Sequence, residues 1–510
     1  MAEGVDGGSY TRSSSHHLLQ QELSRISSNG VSPAVSMNMD DYRNDLWGYP
    51  VHTRSDTCIS FINEFYRQML TYGAEREVIL KATDADGSCV LACALAAVHL
   101  LTQKKPDFET NSFLFAANKN LDKATNYEKS VLAVAMAWAK GETGEAVDLH
   151  FQLLEEFPKD LASLKKGQTL CFYMGRTHDM LRMAELVLPA NRESPYIYGM
   201  LAFPLLEVGE RMREAEVAAK KALSIEPHDV WSQHALGHVL QYECRFKEAL
   251  TFAASCCDTW ISCCSFMYAH NWWHLALCKL ELGGKGALES VVTIYDTHIW
   301  SSNAAANNSQ DCLNALGLLL RLDIRGYNDI VTTKIADMQT CLLDEQRWHT
   351  EWHQDLLMVW GLSRGDHKEV ARKLLQNLKL RVENMKGEQQ KPLWPVISLA
   401  EALYEYGVRN FGAVCDLLGL DSNLSKYKVM GASNEQLDVF QELWCVAFLR
   451  AGNPLPVVEV AEQRVLERSG IPFTWRLLVQ AYSAVGQEAK ANMASASVRK
   501  LEAAAEALES

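Results

Sequence analysis

"YIYGMLAFPLLEVGERMREAEVAAKKALSIEP" (residues 196–227) and "VWSQHALGHVLQYECRFKEALTFAASCCD" (230–258) align at an offset of 34 residues. The offset pairs Arg211 with Arg245, Glu214 with Glu248, Ala215 with Ala249, Ala219 with Ala253 and Ala222 with Cys256. Upstream, "WAKGETGEAVDLHFQLLEEFPKD" (138–160) has the same anatomy, and Gly141, Gly175 and Gly209 stand at the same interval. From Asp45 onward apolar residues recur at helical spacing between short breaks at Gly, Pro or Asn, and strand-like alternation is nearly absent. The chain therefore reads as all-α and repetitive.

An interval of 34 residues is the tetratricopeptide period, a helical hairpin repeated. Near the end, "WRLLVQAYSAVG" (475–486) sets Trp475, Leu478, Tyr482 and Gly486 at first-helix positions of that pattern; "MVWGLSRGDHKEVARKLL" and "WCVAFLRAGNPLPVVEVAEQ" keep only the turn and second helix. Small residues such as Ala215 and Ala249 let two helices cross closely, Gly141 or Gly175 ends a first helix, and Pro158 or Pro227 closes a second. One hairpin cannot bury its apolar face alone, but a stack can. The expected architecture is a right-handed α-solenoid superhelix of stacked tetratricopeptide-like helix pairs, one continuous unit over residues 45–510 without strands. Residues 1–44, rich in Ser, Gly and Asn, read as a disordered lead; "WSSNAAANNSQD" (300–311), "NMKGEQQKPLWP" (384–395) and "DSNLSKYKVMGASN" (421–434) read as loops.

Composition narrows the partners. A net charge of −14 over 510 residues argues against nucleic acid and against an anionic membrane surface, both of which call for a basic footprint. No apolar run approaches the roughly 20 residues that cross a bilayer, and "MAEGVDGGSYTRSSSHH" resembles neither a secretory signal nor a transit peptide. The expected location is the cytoplasm, with the nucleus open. Fourteen cysteines without a CxxC read as reduced thiols, Cys256, Cys257, Cys263 and Cys264 among them as small hydrophobes. There is no phosphate-cradling glycine loop, no GxSxG elbow and no Cys/His pair in a nucleophile's context, so no cofactor is implied.

Three strings place histidines four apart: "HALGH" (234–238), "HNWWH" (270–274) and "HTEWH" (349–353). With Gly237 at the small position of its helix, Trp231, His234, His238 and Gln241 share an inner stripe facing a concave groove; Gly283 puts His270 and Trp273 on the same stripe, with His274 at its border. Neighbouring first helices lie about 10 Å apart, so the pairs form one patch.

"HDVWSQHALGHVLQYECRFKEAL", "AHNWWHLALCKLELG", "YDTHI" and the earlier "DLWGYPVHTRSDTCISF" resemble the tetratricopeptide repeat protein 38 family, in order from about Asp45 to the C-terminal helices. The resemblance implies a degenerate α-solenoid in the cytosol and brings no assigned reaction, substrate or partner. His234, His238, His270, Asn271, Trp273, His274, Asp296 and His298 are the signature positions it carries over; His349 and His353 lie where the pattern does not match.

Two imidazoles at i and i+4 can chelate zinc, but a protease-type site needs the Glu of HExxH, and Ala235, Asn271 and Thr350 stand there. A pooled set of His234, His238 and His270 with Asp296 or His298 remains as a metal alternative. The sequence reading favours a non-enzymatic interaction scaffold that takes a peptide or protein segment against the Trp/His patch. A chaperone C-terminal tail is disfavoured, because the matching stripe of Lys165, Thr169, Met200, Pro204, His234 and His238 holds a single lysine. The alternative is a metal-dependent, hydrolase-like enzyme on the same histidines. Three or more ring nitrogens converging within about 4 to 5 Å would favour metal, and dispersed rings the scaffold.

Overall fold

The computed structural model describes residues 39–103, 107–209, 211–300 and 309–509. It divides into Met1–Tyr42 and Arg43–Ser510. Of the first unit only the short 3-10 turn Met39–Asp41 and Tyr42 are described, so the expected disordered lead falls almost wholly outside the described residues, as does most of the loop expected at 300–311.

Arg43–Ser510 is all-α among its described residues, with one departure from the strand-free expectation: Pro50–His52 is half of a two-stranded ribbon. "DLWGYPV" is too tightly turned to start a helix. The Asp45 carboxylate accepts the N–H groups of Trp47 and Tyr49, both at 3.0 Å, and Gly48 turns at φ +85°. Pro50, lacking an N–H, then favours extended chain.

Helices Asn126–Ala139, Leu161–Tyr173, Pro195–Glu207 and Val230–Tyr242 begin at nearly equal intervals. Each is followed by a partner: Thr143–Glu156, Thr177–Val187, Met212–Ile225 and Phe246–Cys256. Between the partners of the first three pairs Gly141, Gly175 and Gly209 take φ of +78°, +68° and +91°, where a side chain is strained. Helix Pro195–Glu207 packs on the helix after it and on Val230–Tyr242 one further along, so each apolar face is covered by sequence neighbours.

Ala215 is fully buried, and replacing it with Leu is expected to overpack the crossing and cost about 1 to 3 kcal/mol in urea unfolding. Ala249 borders a cavity of about 30 Å³, so Ala249→Leu should cost less. Equal unfolding midpoints for parent and Ala215→Leu would mean that the crossing is placed wrongly. Gly237, expected at a tight position, is not at one: a Cβ there would meet nothing within 4 Å. The close approach is at Gly199, whose Cβ would fall 2.4 Å from Ser232 Oγ at the start of helix Val230–Tyr242.

Two large apolar cores meet along helix Ser265–Leu282, which gives Cys278 to the N-terminal one and Trp273, Ala276 and Leu277 to the other. The chain then returns. Lys428 Nζ lies 2.5 Å from Glu207 Oε2, Asn434 donates its backbone N–H to Glu207 Oε1 at 3.2 Å, and Arg468 pairs with Glu281 at 2.9 Å. This return seats helix Asn434–Arg450 over the histidine helices. All fourteen cysteines are free thiols, and no helix among the described residues is long and apolar enough to cross a membrane.

Candidate metal centre

Helix Val230–Tyr242 is capped by Asp229, whose carboxylate accepts the Trp231 N–H, and is buried on nearly every side. The i, i+4 spacing puts His234 and His238 on one face, and the same spacing does so for His270 and His274 on helix Ser265–Leu282. Both faces meet. One ring nitrogen from each of the four histidines lies within 4.8 Å of the others, and all four residues are buried. Four donors around zinc stand about 3.3 Å apart at Zn–N distances near 2.05 Å, so a contraction of the order of 1 Å would complete such a shell.

Three of the rings are held from behind. His238 Nδ1–H donates to the Glu435 carboxylate, His270 Nδ1–H to Asn314 Oδ1 at 2.8 Å, and His274 Nδ1–H to Gln241 Oε1 at 3.0 Å. An imidazole whose Nδ1 carries the proton presents a bare Nε2 lone pair, which is how protein ligands are fixed around a metal. His234 differs. Its Nε2 lies 2.9 Å from His238 Nε2, and its Nδ1 has no hydrogen-bond partner among the described residues. His274 Nε2 is likewise buried and unpartnered. Leaving a buried donor or acceptor unpaired costs about 1 to 3 kcal/mol, so His274 Nε2, beside the other three rings, is open to a ligand.

Burial holds the His234 and His274 imidazoles well below their ordinary value, helped by neighbouring rings, and brings His270 down to about 4. These rings are therefore neutral donors at pH 7. For Glu435, burial works upward, but its contact with His238, with Arg468, brings the carboxyl below its usual range. The cluster thus has one anionic acceptor behind it.

Trp231, His234, His238 and His270 line a cavity of about 140 Å³, together with Lys165 and Thr169 of the expected stripe. Gly431, Ser433 and Gln436 from the returning chain line the same cavity, so the stripe faces a partly open cleft bounded on one side by that chain. Gln241 and Trp273 are buried behind the cluster, Trp273 stacked on His270 at 5.4 Å. Asn271 borders the smaller cavity on the far side of His274.

Asp296 and His298 do not join. The segment Tyr295–Ile299 leaves its helix as a π-turn; His298 stacks on Trp272 at 3.6 Å and bonds the Tyr268 hydroxyl at 2.7 Å, while exposed Asp296 pairs with Lys334 at 2.6 Å. The fourth member of the pooled set is His274 instead. "HTEWH" forms no i, i+4 pair, because its helix starts at Trp352 and His349 lies in a turn at φ +63°. His353 is buried against Phe440, and burial takes it down to about 3. Glu435 and Asn314 had no local signal: they stand 197 and 44 residues from the rings they hold. No family model matches the chain.

Proposed function

We propose that the protein is a metal-dependent enzyme, hydrolytic in class, acting on a small molecule bound beside the histidine cluster. One observation carries this reading: four buried ring nitrogens converge within 4.8 Å, and three of the rings have Nδ1 fixed by an oxygen acceptor. His238, His270 and His274 are the ligands, and a borderline divalent ion such as Zn²⁺ suits neutral imidazoles. With three protein ligands a divalent ion keeps a position for water and lowers its pKa towards about 7. His234, which lines the cavity beside these three, would orient a bound molecule through its unpartnered Nδ1; burial keeps its imidazole well below the ordinary value and leaves it a weak base.

The frame is read as a right-handed α-solenoid of tetratricopeptide-like pairs, supported by the near-equal helix starts and the glycines at left-handed φ, and kinship with the tetratricopeptide repeat protein 38 family belongs to the same reading. An interaction scaffold draws support from that helical frame and from half-buried Trp231, but less from the four histidines, which are buried.

The test is hydrolysis of small aromatic esters and amides by zinc-loaded protein. Turnover should vanish on chelation, return with zinc, and fall at least 100-fold in His270→Gln. Stoichiometric zinc with no turnover across the panel, or turnover that survives chelation, would overturn the enzyme reading.

A further inference from the structure

At the end of the cavity marked by Tyr72 and Lys165 stands one cation, Lys165, and a second, Arg76, lies near the same ring but outside the cavity lining. Tyr72 follows helix Asp56–Leu70 in a left-handed conformation, φ +57°, costly for an aromatic residue. The strain is held in place: the Tyr72 carbonyl accepts the Cys264 N–H at 2.7 Å, and Gly73 bridges to Cys263. The turn is thereby tied to the chain just before the His270 helix, and the Tyr72 ring faces the cavity. Lys165 Nζ lies 3.4 Å from the ring centroid, and the Arg76 guanidinium 5.5 Å from it.

Lys165 donates to two backbone carbonyls, Met69 O at 2.5 Å and Leu70 O at 3.3 Å. An ammonium has three N–H groups, so one remains, and Lys165 lines the cavity. Arg76 donates to Cys264 Sγ at 3.8 Å, and its Nε is buried without a partner. Neither forms an ion pair among the described residues. The carboxylate whose field reaches Lys165, that of Asp229, is committed to the Ser232 hydroxyl and the Trp231 N–H. Burial, and then Arg76, push the Lys165 ammonium well below its ordinary value. A partly buried cation without a counter-charge is expensive, and an anion arriving beside it recovers that cost.

From this pole a column of stacked rings leads to the histidines, and Tyr72 and Trp231 line the cavity beside it. Tyr72 stacks on Trp231 at 5.2 Å, Trp231 stacks on His234 at 4.8 Å, and Phe203 leans on Trp231 at 4.8 Å. Glu351 lines the cavity too, its carboxylate accepting the Tyr173 hydroxyl at 2.9 Å. One free ammonium donor facing a cavity that already holds a carboxylate matches a single negative charge better than a phosphate dianion.

We propose that the cavity takes a small aromatic carboxylate, its anionic end on the spare N–H of Lys165, its ring against Tyr72 and Trp231, and its far end at the histidine cluster. This rests on the reading of the cavity as a substrate site, but not on the metal. It names the substrate class as an aromatic acid carrying a second, hydrolysable group.

Calorimetry tests it, with phenylacetate, 3-phenylpropionate and indole-3-acetate titrated against the uncharged amide of each, on zinc-loaded and zinc-stripped protein. At least one acid should bind one per chain and at least tenfold more tightly than its amide, and Lys165→Met should remove that preference without weakening the amide. If Lys165→Met does not fold, Arg76→Gln carries the test, with the acid expected to weaken at least threefold and the amide to stay unchanged. No acid binding, equal binding of acid and amide, or an acid preference intact in the folded variant overturns the proposal. Zinc content is measured on the same samples. Acid binding without stoichiometric zinc sinks the metal centre alone, and stoichiometric zinc without acid binding sinks the anion pole alone.

Discussion

Purified protein is expected to return close to one zinc per chain, and the combined variant His238→Gln, His270→Gln, His274→Gln to return none. The expectation follows from Nδ1 groups already held by Glu435, Asn314 and Gln241. Glu435→Gln, which removes only the charge behind His238, should weaken zinc about 10- to 100-fold, the usual effect of losing a partner behind a ligand. At free zinc a thousand times its dissociation constant the folded state gains about 4 kcal/mol, so a chelator should lower the melting temperature of the parent and not of the triple variant. The pH dependence has a definite sign. A lowered imidazole pKa keeps the neutral, metal-binding form down to that value, and protons compete only below it. With His270 at about 4 and His234 and His274 well below the ordinary range, zinc should stay bound at pH 5.5 and leave as pH approaches 4. Release centred near pH 6.5, where exposed imidazoles titrate, or full zinc in the triple variant, would rule out this centre.

Glu442→Ala should destabilise the fold by about 3 to 5 kcal/mol in urea unfolding, because it strands buried arginines. The Glu442 side chain is 1% exposed, and its two oxygens meet Arg325 at 2.8 and 3.0 Å, with Arg321 at 3.8 Å and Arg464 at 3.6 Å. Truncation leaves Arg325 and Arg321 around an empty anion position, while Arg464 keeps Asp438 at 2.7 Å, and stranding two buried guanidiniums is far costlier than losing an exposed pair. The effect should reach the metal. Arg321 donates to the Glu435 backbone carbonyl and its charge already disfavours protonated His274, so removing its counter-ion should weaken zinc as well. Replacing Arg321 by Met alongside Glu442→Ala should recover part of the stability. A loss below about 1 kcal/mol for Glu442→Ala alone would mean that this network is open to water.

The helical frame was legible because its signals are local: an apolar periodicity, a glycine at each turn, and alanines recurring at the repeat interval. Half of the centre was legible for the same reason, since i and i+4 on one helix share a face whatever surrounds them. The border position assigned to His274 was misjudged, as a stripe on a single helix does not show how the next helix is rotated against it. Asp296 and His298 came from the resemblance and not from a helical register, and the structure sets them apart from the four rings, on a π-turn. The acceptors on other helices, and the lack of a counter-ion at Lys165, are facts of tertiary packing that leave no pattern in the chain. The same is true of the cleft: a repeat reading supplies an open concave face, and only the contacts of residues 428–436 with Glu207 bound it on one side.

That return of the chain sets a clock on assembly. His238 leaves the ribosome 197 residues ahead of the carboxylate that orients it, a delay of about 10 to 40 s at synthesis rates of roughly 5 to 20 residues per second. Throughout that interval His238 lacks the carboxylate that fixes its tautomer, although the acceptors of His270 and His274 are already made. Under the proposed metal reading, acquisition would be a late event in biogenesis, coupled to docking of the last helices, and a chain stalled before Glu435 would display the histidine strings without the carboxylate that orients His238.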